Sequence, residues 1–198
     1  PIIQSYINED TSFYIEPFVG GANMIDKIKF KNKIGSDIHE ELIELLKYAQ
    51  QNELPTTVSE EEYNNVKNNR GNYEKWYVGL VGFCGSFGAK YFGGFARRYN
   101  KDGSLFDVPK QAINSLRKQN LSNITFNTCS FESYDAYKYK NAVFYCDIPY
   151  RNTTKYSTEK FPYDDFYKWC KMMSNNNIVL VSEYNMPSED FVEVWSKE

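Results

Sequence analysis

In FYCDIPYRNTTKY, residues 144–156, an apolar run ends in a carboxylate, a proline and an aromatic ring. Asp147 can accept hydrogen bonds, Pro149 stiffens the turn, and Tyr150 offers a ring face for stacking. Two more carboxylates close apolar runs earlier in the chain: Glu16 in EPFVGGA (16–22) and Asp37 in SDIH (36–39). EPFVGGA lacks the G-x-G-x-x-G spacing of a dinucleotide fold and the Lys-Ser/Thr ending of a phosphate loop. Glu16 would repel a pyrophosphate, so a glycine turn beside it suits a cationic or zwitterionic ligand. Taken alone, a plain strand-to-helix turn accounts for the glycines at least as well. Asp37 at the end of the next strand adds an acceptor of the kind that binds both ribose hydroxyls.

Composition excludes several other chemistries. His39 is the only histidine, which leaves little for a histidine base or a histidine-rich metal site. Cys84, Cys129, Cys146 and Cys170 form no C-x-x-C pair and no metal-ligand spacing; three of them sit in apolar or aromatic surroundings, which suggests reduced, buried thiols of an intracellular protein. No apolar run approaches the roughly 18 residues of a membrane span. The net charge of −3 does not advertise a polyanion binder, but charge is unevenly spread. Residues 84–118 carry seven bases (Lys90, Arg97, Arg98, Lys101, Lys110, Arg117 and Lys118) against Asp102 and Asp107. Charge asymmetry of this kind can mark a local anionic partner, although a solvated surface is the default reading. The rings interleaved with these bases (Tyr91, Phe92, Phe95, Tyr99) could pack a loop or stack on bases.

The elements that must position these groups alternate between strand and helix. Strands are predicted at 13–15, 33–36, 124–128, 142–146 and 178–181, each an apolar or alternating run that stops at a polar residue. Helices are predicted from Ala22 to Ile28, from Ile38 through Ala49, after Pro109 and from Asp164 to Met173. Such alternation implies an α/β fold with a parallel sheet. In such a sheet, ligands bind beyond the carboxyl ends of the strands, where EPFVGGA, SDIH, CSFESY (129–134) and DIPY (147–150) would gather. Between 51 and 105 the pattern changes. A helix starting at Ser59–Tyr63 and polar turns lead into GFCGSFGAKYFGGFARRY, whose glycines argue for a hairpin or mobile loop over a regular helix.

S-adenosylmethionine is a ligand of the required kind, with an ammonium, a sulfonium and no phosphate. Here the chain resembles the Dam-type DNA adenine methyltransferases, the amino-group methylating family with a D-P-P-Y motif. FVGGA matches the family's F-x-G-x-G cofactor turn, SDIH its acidic ribose-binding position, and CDIPYRNTTKY its D-P-P-Y-x-x-T-x-x-Y signature, Thr153 and Tyr156 included. Ala22 replaces the second motif glycine, Ile148 the first motif proline, and Ser130 stands near where many relatives carry an acid. The chain is read as a fragment lacking the family's Tyr-x-Gly-x-Lys opening segment and its last strands.

The resemblance implies a Rossmann-like S-adenosylmethionine-dependent methyltransferase sheet. Residues 1–50 and 106–198 would form the catalytic domain, and 51–105 an inserted target-recognition region for double-stranded DNA. It implies that Glu16, Phe18, Gly20, Asp37, Ile38, Ser130, Phe131 and Asp147 hold the cofactor, leaving S-adenosylhomocysteine as product. Asp147, Ile148, Pro149 and Tyr150 would act on a flipped adenine. Lys90, Tyr91, Arg97, Arg98, Asn152, Thr153 and Lys155 would meet the DNA. An exocyclic amine is a poor nucleophile because its lone pair is conjugated into the ring. Acceptors on its hydrogens, the Asp147 carboxylate and the Ile148 carbonyl, would turn the lone pair toward the methyl donor, with Tyr150 stacked on the base. No metal is needed, and the setting would be the cytoplasm of a bacterium or phage-infected host, with restriction-modification as the biological context. Other readings remain at this stage: methylation of cytosine N4 or an RNA base, or a catalytically weak DNA-binding or regulatory remnant of the fold. The sequence carries no signal for recognition sequence or oligomeric state.

Overall fold

A computed structural model describes residues 2–150 and 161–196. Its centre is a five-stranded, wholly parallel sheet built from β1 (Tyr14–Glu16), β2 (Lys33–Asp37), β5 (Ile124–Thr128), β6 (Val143–Asp147) and β7 (Ile178–Ser182). The order across the sheet is β5-β2-β1-β6-β7. The chain therefore builds outward from β1 on one side, then returns to β1 and builds outward on the other. The strand order reverses between β1 and β6, and an open α/β sheet forms its ligand crevice at such a switch point. A shorter antiparallel pair, β3 (Arg98–Tyr99) and β4 (Leu105–Phe106), stands apart from this sheet.

Alternation along the strands divides the core into two layers. Tyr14, Phe126 and Val143 point into one layer, while Ile15, Phe144 and Cys146 point into the other. The first layer is closed by α1 (Glu40–Gln51), which turns Leu42, Ile43, Leu45 and Leu46 inward at helical spacing, and by α4 (Val108–Arg117). Asp107 caps α4 by accepting the Lys110 N–H at 2.9 Å, and Pro109 sits in its first turn. The second layer is closed by α5 (Tyr163–Ser174), whose Phe166, Trp169, Cys170 and Met173 are buried. Cys84, Cys146 and Cys170 are buried free thiols, and Cys129 is half-buried.

The 51–105 region is packed into the first layer and shares its core. Its first helix, α2 (Glu60–Asn68), opens with a reciprocal capping box between Ser59 and Glu62, worth about 1 kcal/mol. Tyr63 and Val66 of α2 join the same apolar cluster as Ile43 and Leu46 of α1. A helix that the sequence pattern does not announce, α3 (Lys75–Gly79), runs on into a π-helical turn at Leu80–Cys84. Trp76 stacks on Tyr48 of α1 with ring centroids 3.6 Å apart.

One expectation is refined and one is corrected. The glycine-rich stretch that starts at Gly82 forms no regular helix beyond Gly82–Cys84, which complete the π-helical turn; a Cβ on Gly82 would lie 2.6 Å from the Tyr91 ring, and one on Gly79, just before the stretch, 2.1 Å from the Glu41 carbonyl oxygen. Beyond Gly85 the loop is pinned. Ser86 and Phe95 form an antiparallel bridge, and the buried Tyr63 hydroxyl lies 2.9 Å from Ser86 Oγ while accepting the Gly94 N–H at 3.1 Å. The correction concerns residues 22–28, where the sequence predicts a helix. They form a single 3-10 turn at Ile25–Lys27. The buried Lys33 ammonium donates to the Ile25 and Ile28 carbonyls at 3.1 and 3.4 Å, taking up oxygens that a longer helix would have bonded internally.

Candidate active site

Register alone brings the carboxylates together. Glu16 lies beside Gly35, Asp37 beside Thr128, and Asp147 beside Ser182, all at the carboxyl edge of the sheet. Glu16 ends the central strand and Asp147 ends its neighbour across the switch point.

The glycine turn that follows β1 bends over this edge. Val19 N–H donates to the Ser36 carbonyl at 2.8 Å, and the Gly20 N–H donates to Asp37 Oδ2 at 3.3 Å. Gly20 has φ +47°, a left-handed conformation that glycine adopts without strain, and the space beside it is open. Ala22, standing where the motif has glycine, adopts φ +57° and is fully buried. The turn thus keeps its left-handed geometry despite the alanine, at a cost of about 1 kcal/mol. Asp37 Oδ1 accepts the His39 N–H at 3.0 Å. Burial pushes the Asp37 carboxyl above its ordinary value, partly offset by hydrogen bonds from the His39 and Gly20 amides. Each of its oxygens keeps a second lone pair for a ligand hydroxyl. Ile38, the next residue, is 77% exposed and presents an apolar side chain at the edge.

Phe18 packs against Phe131 with centroids 5.7 Å apart and also contacts Phe161 and Phe166. Phe131 is buried in this aromatic layer, so it supports the edge from below. Ser130 caps the 3-10 turn Phe131–Ser133, with its Oγ 3.1 Å from Glu132 Oε2. The exposed Glu132 thus places a carboxylate two residues beyond Ser130.

At the end of β6 the Asp147 carboxylate is exposed, whereas Ile148 buries its side chain in the second layer. The Tyr150 hydroxyl lies 2.8 Å from Ser182 Oγ and donates to Asp147 Oδ1 at 3.2 Å. Its ring meets Tyr184 edge-on at 4.9 Å. The Pro149 carbonyl accepts the Tyr163 hydroxyl at 2.6 Å, which anchors the turn to α5. Ser182, Tyr184 and Tyr163 were not singled out in the sequence. For Ser182 a signal existed, because it ends the apolar run 178–181 as Asp147 ends its own.

Four of the expected DNA-facing residues, Lys90, Tyr91, Arg97 and Arg98, are described, and their surroundings differ. Lys90 is exposed. Tyr91 is half-buried against His39 (4.2 Å) and Phe83 (5.0 Å), with the Arg70 guanidinium 5.4 Å from its ring centre. Arg97 is engaged by both carboxylate oxygens of Glu60. Arg98 lies over the Phe106 ring at 5.1 Å. Asn152, Thr153 and Lys155, with Tyr156 of the motif, lie outside the described residues.

The groups at this edge fit S-adenosylmethionine. The described carboxylates (Glu16, Asp37, Glu132, Asp147) match cationic and hydroxyl-bearing parts of a ligand, and exposed Ile38 matches an apolar ring. Among the described residues no cluster of His, Cys, Asp and Glu is arranged to hold a metal ion, and no helix is long and apolar enough to cross a membrane.

A parallel sheet in this order, with a glycine turn after its central strand and acids at the strand ends, is a Rossmann-like α/β fold, consistent with that of methyltransferases. Residues 1–81, fewer than half of the chain, match the family model of the D12 class N6 adenine-specific DNA methyltransferases. The matched segment contains Glu16, Phe18, Gly20, Asp37 and Ile38, whereas Ser130, Phe131 and residues 147–150 lie beyond it. No curated protein matches the chain.

Proposed function

We propose that this protein transfers the methyl group of S-adenosylmethionine to the exocyclic N6 of an adenine flipped out of double-stranded DNA. The observation that carries this reading is the meeting of Glu16, Asp37 and Asp147 at one sheet edge, around the turn whose sequence matches the adenine methyltransferase family. When bound, the cofactor supplies an electrophilic methyl group. The protein supplies position and charge. Asp37 would accept the ribose hydroxyls, with the Gly20 and His39 amides holding its carboxylate in place. Ile38 would cover one face of the cofactor's adenine.

On the acceptor side, Asp147 would accept one amino hydrogen of the target base, and the Ile148 carbonyl the other. A carbonyl belongs to any residue, so isoleucine serves here as well as proline. Its side chain is used in the core, which fixes the carbonyl's direction. Tyr150 would stack on the base, and stacking of ~1–3 kcal/mol per base offsets much of the few kcal/mol that flipping costs. Ser182 would hold the ring at its working angle through the Tyr150 hydroxyl.

The test is methylation of plasmid DNA with labelled cofactor, followed by mapping of the modified base. N6-methyladenine, lost in Asp147→Ala with the cofactor still bound, supports the reading. Label confined to cytosine, or transfer that survives Asp147→Ala, overturns it.

A further inference from the structure

Beneath the glycine turn lies a buried polar group that the catalytic reading does not use. The Tyr14 hydroxyl donates to Glu16 Oε1 at 2.6 Å, with Tyr14 fully buried and Glu16 only 3% exposed. The two residues are separated by one position on β1, so their side chains leave the same face of the sheet. On β2, the residue paired with Tyr14 is Lys33, whose buried ammonium ties down the 3-10 turn that continues from the glycine turn. Buried Asp26 of that turn is also nearby, and binds Lys27 at 2.6 Å. An ionisable carboxyl group buried in this way is costly unless it is paired, hydrogen-bonded or protonated.

We propose that Tyr14 is a positioning residue: its hydroxyl fixes the Glu16 carboxylate, which holds the cationic amino-acid end of S-adenosylmethionine. The inference rests on the cofactor reading above and deepens it. The groups that act on Glu16 are Tyr14 on its own strand, Lys33 on β2, Asp26 on the 3-10 turn, and Tyr145, Cys146 and Asp147 on β6. Burial raises the Glu16 carboxyl to about 8, with the Tyr14 hydrogen bond opposing it, the Asp147 and Asp26 charges adding to it, and Lys33 opposing it. At neutral pH the residue carries a proton in the unliganded protein. A cation arriving beside it favours the carboxylate, so cofactor binding expels that proton to solvent. The Tyr14 hydroxyl stabilises the ionised form that results.

Calorimetric titration of the intact chain with S-adenosylmethionine and with S-adenosylhomocysteine tests this without relying on turnover. Between about pH 6 and 7.5 the affinity of the parent rises toward tenfold per pH unit, because one proton leaves on binding. Tyr14→Phe weakens binding roughly tenfold or more at pH 7, the range for a hydrogen bond to a charged group. In a Glu16→Gln background the pH slope disappears and Tyr14→Phe has no further effect. A flat slope in the parent, an unchanged dissociation constant in Tyr14→Phe, or a Tyr14→Phe effect that persists in the Glu16→Gln background would each overturn the inference. If the parent binds neither compound, the cofactor reading itself fails, and this inference with it.

Discussion

Gly79→Ala is expected to destabilise the protein although it improves the local helix. Gly79 ends α3 where that helix crosses the first turn of α1. A methyl group there would sit 2.1 Å from the Glu41 carbonyl oxygen, 2.8 Å from its carbon and 3.2 Å from Leu45 Cβ. The obstructing atoms are backbone, so no rotamer change relieves the contact and the two helices must separate by about 1 Å. Overpacking of this kind costs about 3 kcal/mol at the upper end of its range. Replacing glycine by alanine inside a helix returns about 1 kcal/mol. The net loss is therefore about 2 kcal/mol, or a fall in Tm of roughly 4–8 °C for a chain of this length. Gly71→Ala makes the same chemical change where a methyl group meets nothing within 4 Å. It should be neutral, or stabilising by up to about 1 kcal/mol. Thermal and urea denaturation of the two variants beside the parent measure the difference. Because α1 begins just after Asp37, Gly79→Ala should also weaken cofactor binding, which Gly71→Ala should not. If Gly79→Ala melts within about 1 °C of the parent, far inside the shift expected of overpacking, the close crossing of α1 and α3 is wrong.

Other perturbations test other parts of the molecule. Glu16 has a higher affinity for its proton in the folded state (about 8) than in the unfolded chain, so between the ordinary glutamate range and pH 8 the folded state binds more protons. Stability from this group is present at low pH and is lost as pH rises toward 8. Glu16→Gln should flatten that decline and melt higher than the parent at pH 8, as read by Tm across pH. Ser182→Ala removes a hydroxyl 2.8 Å from the Tyr150 oxygen. It should lower kcat/KM for methyl transfer several-fold, about 1 kcal/mol, with little change in cofactor affinity or melting. For DNA, Lys90→Ala should weaken binding alike for all sequences and reduce the salt slope by about 1. Arg97→Ala should change it less, because that guanidinium is held by Glu60. Fluorescence anisotropy at several salt concentrations separates the two.

The strands of the main sheet were legible because each is an apolar run closed by a polar residue. Register then determined which of those closing residues meet. That is why Asp37 and Asp147 could be placed at one edge from the sequence. What could not be read was tertiary in origin. The glycines from Gly82 onward lower helix propensity, and nothing local shows that Gly82–Cys84 complete a helical turn, where the close approach of Tyr91 leaves no room for a larger residue. Lys33 reads as the polar start of a strand, with nothing local to show that its ammonium would tie a turn preceding it in the chain. Arg97 reads as a free cation until Glu60, distant in sequence, is brought beside it. The bond from Tyr150 to Ser182 likewise needs β6 and β7 paired before it exists.

The shared core of α1 and the 51–105 region bears on how the proposed target-recognition role of that region could be re-engineered. Tyr63, Val66, Val78, Leu80 and Val81 lie in the same apolar cluster as Ile43, Leu45 and Leu46 of α1. Excising 51–105 and grafting in a counterpart from another enzyme would cut through that cluster and strip one face of α1. A workable chimera would have to carry α1 along with the graft, and α1 follows directly from the Asp37 turn. Under the proposed function, exchange of specificity is therefore best sought by substitutions on the outer loops, around Lys90 and the β3–β4 hairpin, with the helices beneath them left intact.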